Sequence, residues 1–313
     1  MNPLLSETAL PLFDQIEIEH FEPAIDQVLA DNRQLIEKLL ESSADTWESL
    51  VYPLESADDR LNNVWSVISH YNAVLNSDEL REVYKRLISK LTEYQTEIGQ
   101  NENLFQAYKR LAEGAGFDAL NGAQQKVIEN QLRDFKLSGI GLNEADKQTY
   151  SELKQTLSSL TNSFSENVLD ATQGWSKHVE SVEELAGLPE SALQLLASLA
   201  KEQGHENGYL LTLDIPSYLP VMTYCESSAL REELYEAYLT RASDQGPNAG
   251  KWDNSKNIQK IMSTRQALAK LLSFENYAQR SLATKMAGSV DEVITFLEQL
   301  ADKALPVAKK EFS

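Results

Sequence analysis

The sequence predicts a mainly α-helical fold that contains one small β element. Across most of its 313 residues, apolar side chains recur every three or four positions, the spacing that places them on one face of a helix. Residues that favour helix ends, such as Ser, Thr, Asn and Gly, stand at the borders of these periodic segments. Residues 174–179 and 209–213 instead have the aromatic, β-branched or apolar character of short strands.

Two helices are predicted in the first 75 residues. The first begins near Glu22 and Pro23, because proline is tolerated in the first turn of a helix. Thr46 can cap the second. Pro53 follows within that helix, and we expect it to kink or split the helix, since proline removes one backbone hydrogen bond and clashes with the preceding turn.

A third helical pattern runs from Ser77 to about Leu111. Gly99 and the polar residues around it are expected to interrupt the pattern. Apolar residues at helical spacing predict a further helix around residues 127–135. The glycine-containing turn at residues 138–141 closes it.

The turn after residue 138 is the predicted internal boundary. It would separate a helical subdomain, residues 1–138, from residues 143–313. Asn143 can cap the helix that follows, and Asp146 favours the same start because an acidic side chain interacts well with the first-turn N–H groups. The apolar spacing continues to Val168, so this helix is expected to be long, with one buried stripe.

The two predicted strands, residues 174–179 and 209–213, are expected to pair. A two-stranded ribbon is marginal in water and needs packed helices to survive. Pro189 opens a helix between the strands, and Ser217 is expected to cap a short helix that has Pro220 in its first turn.

Three more helices complete the prediction. One follows residues 227–228, and another follows the irregular loop at residues 243–255. The last begins at Ser289, which forms a capping box with Glu292. Pro306 leaves the end of this helix open, and a chain that stops within or just after a helix is consistent with a truncated protein. The apolar face of this helix comprises Val293, Phe296, Leu297, Leu300 and Ala304.

Composition excludes several classes of partner. With 48 acidic and 28 basic residues the formal charge is −20, so we expect no nucleic-acid partner and no anionic membrane surface, both of which require a surplus of Lys and Arg. The longest nearly apolar run, residues 192–200, is less than half of the ~20 residues that span a bilayer. The start of the chain lacks the pattern of a secretory signal. With Cys225 alone, no internal disulfide forms, and the cytoplasm is the expected compartment.

No catalytic or metal-binding residue is predicted. His205 begins a stretch, HENGY, that has Tyr209 where the motif HExxH requires its second histidine, and zinc needs both imidazoles on one helix face. We therefore interpret HENGY as a surface turn. His20, His70 and His178 lie far apart in sequence and are interpreted as structural or exposed.

The loop GPNAGKW, residues 246–252, is a poor match to a phosphate-binding loop. One residue is missing between its glycines, Trp252 replaces the hydroxyl residue that would hold magnesium, and a helix precedes it where a strand is required. We expect the glycines to permit a sharp turn, Trp252 to fix the loop, and Asn254 or Ser255 to cap the next helix.

Cys225 is interpreted as a small buried hydrophobic residue. Several tyrosines recur nearby, and tyrosine can offer hydrogen bonds to a peptide backbone while its ring packs. Because they stand at helical spacing, we interpret them mainly as core. These tyrosines are Tyr218, Tyr224, Tyr235, Tyr238 and Tyr277.

Longer segments of the sequence resemble a known family. The segments are LDIPSYLPVMTYC, LREELYEAYLTRASDQGP, GKWDNS and FENYAQRSLATKMA, with LPLFDQIEIEHFEPAI, RDFKLSGIGL and FSENVLDAT earlier in the chain. Together they are similar to the thimet-oligopeptidase-like zinc metallopeptidases, and the resemblance extends along the whole chain. The HExxH helix of that family is absent from this sequence.

The resemblance implies a mostly helical, two-lobed enzyme in which a deep channel admits short peptides. In such enzymes zinc, held by the two histidines of HExxH and a downstream Glu, activates water. This chain would supply the N-terminal lobe, one wall of the channel, without the zinc-binding lobe. The resemblance assigns no catalytic, metal or substrate-binding residue here, although the loop at residues 243–255 could border the channel.

Two functions are consistent with these observations. In the first, the chain is the N-terminal part of a cytoplasmic zinc oligopeptidase, inactive alone, whose partners are short peptides and the missing C-terminal lobe. In the second, it is a stand-alone acidic helical interaction module without catalysis. An open reading frame with HExxH after Ser313 would distinguish the two.

Overall fold

The protein is mainly α-helical, as predicted, and its described part contains a single two-stranded sheet. The computed structural model describes residues 2–6, 8, 10–42, 45–75 and 77–313. The chain forms two compact units. The first unit comprises Met1–Ser159 and Thr264–Ser313, and the second comprises Leu160–Ser263.

The first unit begins with three packed helices, α1 (Phe21–Ser42), α2 (Tyr52–Val74) and α3 (Asp78–Gly99). Their apolar faces meet in one core, as their three-and-four spacing predicts. The core residues include Phe21, Ala24, Ile25, Val28, Leu29, Leu61, Val64, Ile68, Leu80, Leu87 and Leu91.

Near Pro53 the structure shows a change of helix type, and the backbone stays helical at the junction residues Val51 and Tyr52. A π-helical turn, Trp47–Val51, precedes α2, and Pro53 lies in the first turn of α2. Thr46 caps the π-helical turn as predicted, since its hydroxyl accepts a hydrogen bond from the backbone N–H of Ser49 at 3.1 Å. The Ser49 hydroxyl in turn accepts from the N–H of Thr46 at 3.1 Å.

The interruption near Gly99 is also confirmed. Helix α3 ends at Gly99, and α4 (Glu102–Glu113) begins anew after Asn101, whose side chain accepts from the N–H of Leu104 at 3.0 Å. Helix α5 (Gly122–Leu137) follows. These helices share a second core with the π-helical turn. Its residues include Leu50, Val51, Leu104, Tyr108, Leu111, Ile128, Phe135 and Ile140.

The long helix α6 (Glu144–Gln173) begins where the sequence predicts. The Asn143 side chain accepts a hydrogen bond from the N–H of Asp146 at 3.0 Å, which caps the first turn. The division between the two compact units falls within this helix, after Ser159. The separation of residues 1–138 from residues 143–313 stays a prediction.

The second unit contains the sheet, three complete helices, the end of α6 and the start of α10 (Ser255–Leu271). Strand β1 (Ser176–Val179) pairs antiparallel with β2 (Tyr209–Thr212), so the predicted ribbon is confirmed. Helices α7 (Glu190–Glu202), α8 (Ile215–Tyr224) and α9 (Ser228–Leu239) complete the unit's core. Its buried side chains include Val179, Leu185, Leu196, Leu211, Val221, Cys225, Leu230 and Leu234.

The start of α8 differs from the prediction. The helix begins at Ile215, so Pro216 occupies the first turn and Pro220 lies inside the helix. Ser217 does not cap it. The Ser217 hydroxyl is buried and instead accepts a hydrogen bond from the backbone N–H of Thr212 at 2.9 Å, which satisfies the end of strand β2.

Helix α10 (Ser255–Leu271) runs from the second unit into the first, and α11 (Tyr277–Leu282) follows after a short turn. The turn ends at Asn276, whose side chain accepts from the N–H of Gln279 at 3.0 Å and so caps α11.

The last helix, α12, extends over Val290–Phe312 and continues through Pro306. Ser289 caps it as predicted, accepting from the N–H of Glu292 at 3.1 Å. The Glu292 carboxylate, however, accepts from the N–H of Gly288 at 2.7 Å, one residue before the position that a capping box uses. No residue of α12 is buried.

Substitution of Gly174 tests the packing at the end of α6. An added Cβ would lie 2.7 Å from Cζ3 of Trp252 and 2.7 Å from the Asp170 carbonyl oxygen. Because the indole has to move, we expect Gly174→Ala to lower the free energy of unfolding by about 1 to 3 kcal/mol, the usual cost of overpacking.

The matched control is Gly116→Ala, since a Cβ at Gly116 would meet no atom within 4 Å and its φ of −78° suits alanine. We expect this control to change stability by less than about 0.5 kcal/mol. Urea unfolding followed by tryptophan fluorescence measures both variants. Equal stability of Gly174→Ala and wild type would contradict the described contact.

Candidate functional site

The described part of the chain contains no group of three or more His, Cys, Asp or Glu side chains that could hold a metal ion. His205 lies in a turn after α7, and its ring stacks on that of His178 in β1 at a centroid distance of 3.9 Å. The Nε2 atom of His178 lies 2.8 Å from the carbonyl oxygen of Asn207. Two imidazoles in this arrangement supply too few ligands for zinc, which takes four.

Close packing explains the glycine in this turn. Gly208 has a φ of +89°, and an added Cβ would lie 2.6 Å from His178 Nε2. Only glycine combines this backbone conformation with this contact. Residues 205–208 therefore form a turn, as predicted, while Tyr209 is the first residue of β2. The contact between His178 and His205 was not predicted because the two residues lie 27 positions apart in sequence.

Three backbone N–H groups of the glycine-rich loop are already paired within the chain and are not open to a phosphate. The N–H of Ala249 donates to the carbonyl of Gly246 at 3.2 Å, and that of Lys251 donates to Asn248 at 3.1 Å. The N–H of Gly250 donates to Ser243 at 3.0 Å. A phosphate-binding loop needs such groups unpaired, so the loop has a structural role within the second unit.

Two side chains fix this loop, and one of them does so differently from the prediction. Trp252 lies against Gly174 at the end of α6, as expected. Asn254 was predicted as a possible cap of α10, but its side chain is buried and donates to the carbonyl of Phe164 in α6 at 3.1 Å. Asp253 instead accepts from the N–H of Ser255 at 2.8 Å.

An aromatic surface lies beside this loop. The rings of Tyr218 in α8 and Tyr238 in α9 stack with centroids 4.0 Å apart and an angle of 17° between their planes. The guanidinium carbon of Arg241 lies 3.7 Å from the centre of the Tyr238 ring, close enough for a cation–π interaction. We call Tyr218, Tyr235, Tyr238 and Arg241 the tyrosine–arginine surface.

Arg241 is held in place by two hydrogen bonds. Its Nε donates to the carbonyl of Tyr238 at 2.9 Å, and Nη1 donates to the hydroxyl of Thr172 in α6 at 2.9 Å. Burial raises the pKa of the Tyr218 phenol, Tyr238 and Tyr235 add to the rise, and Arg241 opposes it. The phenol is therefore protonated at neutral pH and can donate a hydrogen bond.

The interpretation of the five tyrosines mainly as core is wrong for Tyr224 and Tyr235 and holds in part for Tyr218, which packs against the core of the second unit. Tyr224 and Tyr235 are 55% and 52% exposed, and Tyr218, Tyr238 and Tyr277 are half-buried. For Tyr235 the reason is that α9 buries Leu230, Leu234 and Ala237, which form its other face. Arg241 was not singled out from the sequence, because it lies in the turn after α9, which ends at Leu239, and only the folded chain brings its guanidinium onto the Tyr238 ring.

Cys225 is 3% exposed and free, and its Sγ lies 3.6 Å from the carbonyl of Glu184. This confirms its interpretation as a small buried hydrophobic residue. It is one of the core residues of the second unit.

Helices long and apolar enough to cross a bilayer were not found among the described residues.

Two family descriptions match the chain in succession. Residues 25–147 match the Neurolysin/Thimet oligopeptidase, N-terminal domain. Residues 221–313 match Peptidase family M3.

Individual relatives match along almost the whole chain. Oligopeptidase A of Haemophilus influenzae is 53% identical over 310 residues, which are 99% of this chain and 45% of that protein. Oligopeptidase A of Escherichia coli K12 is 53% identical over 313 residues, or 100% of this chain and 46% of that protein. A probable cytosolic oligopeptidase A of Arabidopsis thaliana is 39% identical over 305 residues, or 96% of this chain and 43% of that protein.

The chain thus spans slightly less than half the length of these relatives. The matches confirm the resemblance that the sequence segments predict. The chain belongs to the oligopeptidase A group of peptidase family M3 and corresponds to the N-terminal part of its members.

Proposed function

We propose that this chain is the N-terminal part of a cytoplasmic zinc metallo-oligopeptidase that hydrolyses short peptides inside a channel. One observation carries the proposal. A match of 53% identity extends along 99% of the chain and covers 45% of a relative named oligopeptidase A. The whole enzyme's activity is proposed to require the segment that this match does not cover, the C-terminal lobe.

The described side chains do not fit a catalytic zinc ion, because none of them forms a group of three or more suitable ligands. We therefore assign the metal, and every catalytic residue, to the C-terminal lobe. The chain itself is proposed to be inactive and to form one wall of the channel.

The tyrosine–arginine surface is the part of this wall that we propose contacts peptide. Phenol O–H and guanidinium N–H groups donate hydrogen bonds to peptide carbonyls, and the ring faces pack against apolar side chains. Half-exposed Tyr235 lies within this surface, and Ile215, Leu219 and Leu239 on the same two helices are 52%, 55% and 59% exposed. Exposed aromatic and aliphatic side chains mark a binding surface where they form a contiguous patch, and we propose that these side chains do so.

Helix α12 is proposed to contact the C-terminal lobe. Phe296, Leu297 and Leu300 are 62%, 50% and 53% exposed, and helical spacing places them on one face. An apolar stripe of this kind tends to bind a partner. We also propose that residues 1–138 form a separate helical subdomain, with residues 143–313 beginning the peptidase region.

The first test separates the chain from its proposed partner. The purified 313-residue chain, after dialysis, is expected to hold far less than one zinc per chain by elemental analysis and to leave a quenched fluorescent peptide intact. When it is mixed with zinc and the separately produced C-terminal lobe, we expect hydrolysis to appear, because the metal ligands and the channel wall are then together.

The control compares two substitutions in α12. Phe296→Asp places a charge on the apolar stripe and should reduce the activity of the mixture, whereas Thr295→Asp, on the opposite face, should not. Zinc bound at one per chain, or a mixture that stays inactive and indifferent to Phe296→Asp, would contradict the proposal. A monodisperse chain that ignores the C-terminal lobe would favour the stand-alone interaction module.

A second test addresses the tyrosine–arginine surface in the reconstituted or full-length enzyme. Tyr238→Leu removes the ring that contacts both Tyr218 and Arg241. We expect KM for short peptides to rise about threefold to tenfold with kcat little changed, since contacts of this kind contribute about 0.5 to 1.5 kcal/mol.

Tyr224→Leu is the matched control, because Tyr224 is also about half exposed but lies outside the stack. Steady-state kinetics should show wild-type KM for it. If Tyr238→Leu lowered kcat alone, or if both variants behaved alike, the stack would not be a peptide-binding surface.

A further inference from the structure

The first unit contains three cationic side chains for which the described residues provide no acidic partner. They are Lys154 on α6, Arg265 on α10 and Arg280 on α11. Other basic side chains of the first unit form ion pairs at its surface. Arg60, for example, lies 2.8 Å from the Asp31 carboxylate. A chain with 48 acidic residues does not lack carboxylates to pair with, so the absence of a pair at this position calls for an explanation.

Contacts with tyrosines bring the cations to one region. Arg280 forms a side-chain hydrogen bond with the Tyr150 phenol, and its charge opposes the rise that burial causes in the pKa of Tyr150. Burial, followed by the charge of Arg280, lowers the pKa of Lys154. The guanidinium carbon of Arg265 lies 5.0 Å from the centre of the Tyr277 ring. Tyr277 and Arg280 are three residues apart in α11 and therefore share a face.

Two buried donors at this region are unsatisfied. The Nε atoms of Arg265 and Arg280 are inaccessible to solvent and have no hydrogen-bond partner among the residues that the structure describes. Burial of a charged group's N–H donor costs free energy when the donor loses its water and gains no hydrogen-bond acceptor. The Tyr150 hydroxyl donates to the carbonyl of Leu137 at 3.2 Å and also forms a side-chain hydrogen bond with Arg280. As a neutral phenol it cannot offset the positive charge of the guanidinium groups.

The missing group is an anion that accepts from guanidinium N–H groups and offsets the positive charge. A carboxylate fits, since its two oxygens accept paired hydrogen bonds from the planar fork of an arginine. A phosphate dianion fits less well, because a chain of charge −20 repels a second negative charge more strongly.

We propose that Lys154, Arg265 and Arg280, with Tyr150 and Tyr277, form a carboxylate-binding site. Its ligand is either the C-terminal carboxylate of a bound peptide, which rests on the proposed function, or an acidic side chain of the C-terminal lobe. Both sources offer the same chemistry to the same arginines.

Nuclear magnetic resonance of the arginine Nε–Hε groups tests the site in the 313-residue chain without any enzymatic activity. Conservative Arg265→Lys and Arg280→Lys variants assign the two signals. Sodium acetate and an acetylated dipeptide with a free carboxylate are expected to shift both signals in a saturable way. The C-terminal amide of the same dipeptide, and sodium chloride at equal ionic strength, are expected to leave them unchanged.

Charge removal at Lys154 supplies a second readout. Lys154→Met should weaken acetate binding about threefold to tenfold, because one of the hydrogen bonds or charges that hold the anion is lost. Arg60→Met, which removes a surface ion pair with Asp31, should leave acetate binding unchanged. Thermal unfolding of each variant shows whether it is folded.

The full-length protein distinguishes the two sources. If its arginine signals still respond to the free dipeptide, the ligand is a peptide carboxylate. If they already lie at the bound position and ignore the dipeptide, an acidic side chain of the C-terminal lobe occupies the site. If acetate and dipeptide leave both signals unchanged in the 313-residue chain, or if the amide shifts them equally, there is no carboxylate site. That result would not affect the zinc and hydrolysis tests of the proposed function.

Discussion

The organisation of the second unit depends on one buried amide, the side chain of Asn254. It is 1% exposed and makes three hydrogen bonds. Its Nδ2 donates to the carbonyl of Phe164, and its Oδ1 accepts from Asn167 at 2.9 Å and from Asn257 at 3.2 Å. Because an unpaired buried amide is costly, these contacts hold the loop that ends at Asn254 in one position against α6.

The same residue stabilises the backbone near the tyrosine–arginine surface. The N–H of Asn254 donates to the carbonyl of Ala242 at 2.9 Å. Ala242 has a φ of 53°, a conformation that costs a residue with a Cβ about 1 to 2 kcal/mol. Ala242 directly follows Arg241, whose guanidinium packs on the Tyr238 ring. Loop conformation and surface geometry are thereby coupled.

Local signals in the sequence predicted most of the helices. The same signals could not predict contacts between residues that are distant in sequence. Thr46, Asn143 and Ser289 cap helices as expected because a cap involves only residues within one turn. Asn254 has the same capping chemistry, yet its side chain bonds to Phe164, 90 positions away. Apolar spacing also failed to show which face of α9 is buried, since Tyr235 and Leu234 are equally compatible with a helical stripe.

In the candidate sites, too, only local features could be predicted from the sequence. Absence of HExxH is readable directly from the sequence, because that motif is local. The stack of Tyr218 on Tyr238, the contact of His178 with His205 and the unsatisfied arginine Nε atoms arise only when separate elements meet. Charge patterns gave no indication of Arg265 or Arg280, since the signal is a missing carboxylate in three dimensions.

Hydrogen–deuterium exchange of an Asn254→Leu variant measures most directly whether the buried amide fixes the loop. Leucine has a similar volume but no hydrogen-bonding group. The backbone N–H groups of Gly250 and residue 254 form the hydrogen bonds that close the loop. We expect both to exchange at least about tenfold faster in the variant, because a loss of about 1.4 kcal/mol in local stability gives a tenfold change. The amides of β2 and an Asn248→Leu control should exchange as in wild type. Unchanged exchange in the loop, or equal acceleration throughout the second unit, would contradict this account.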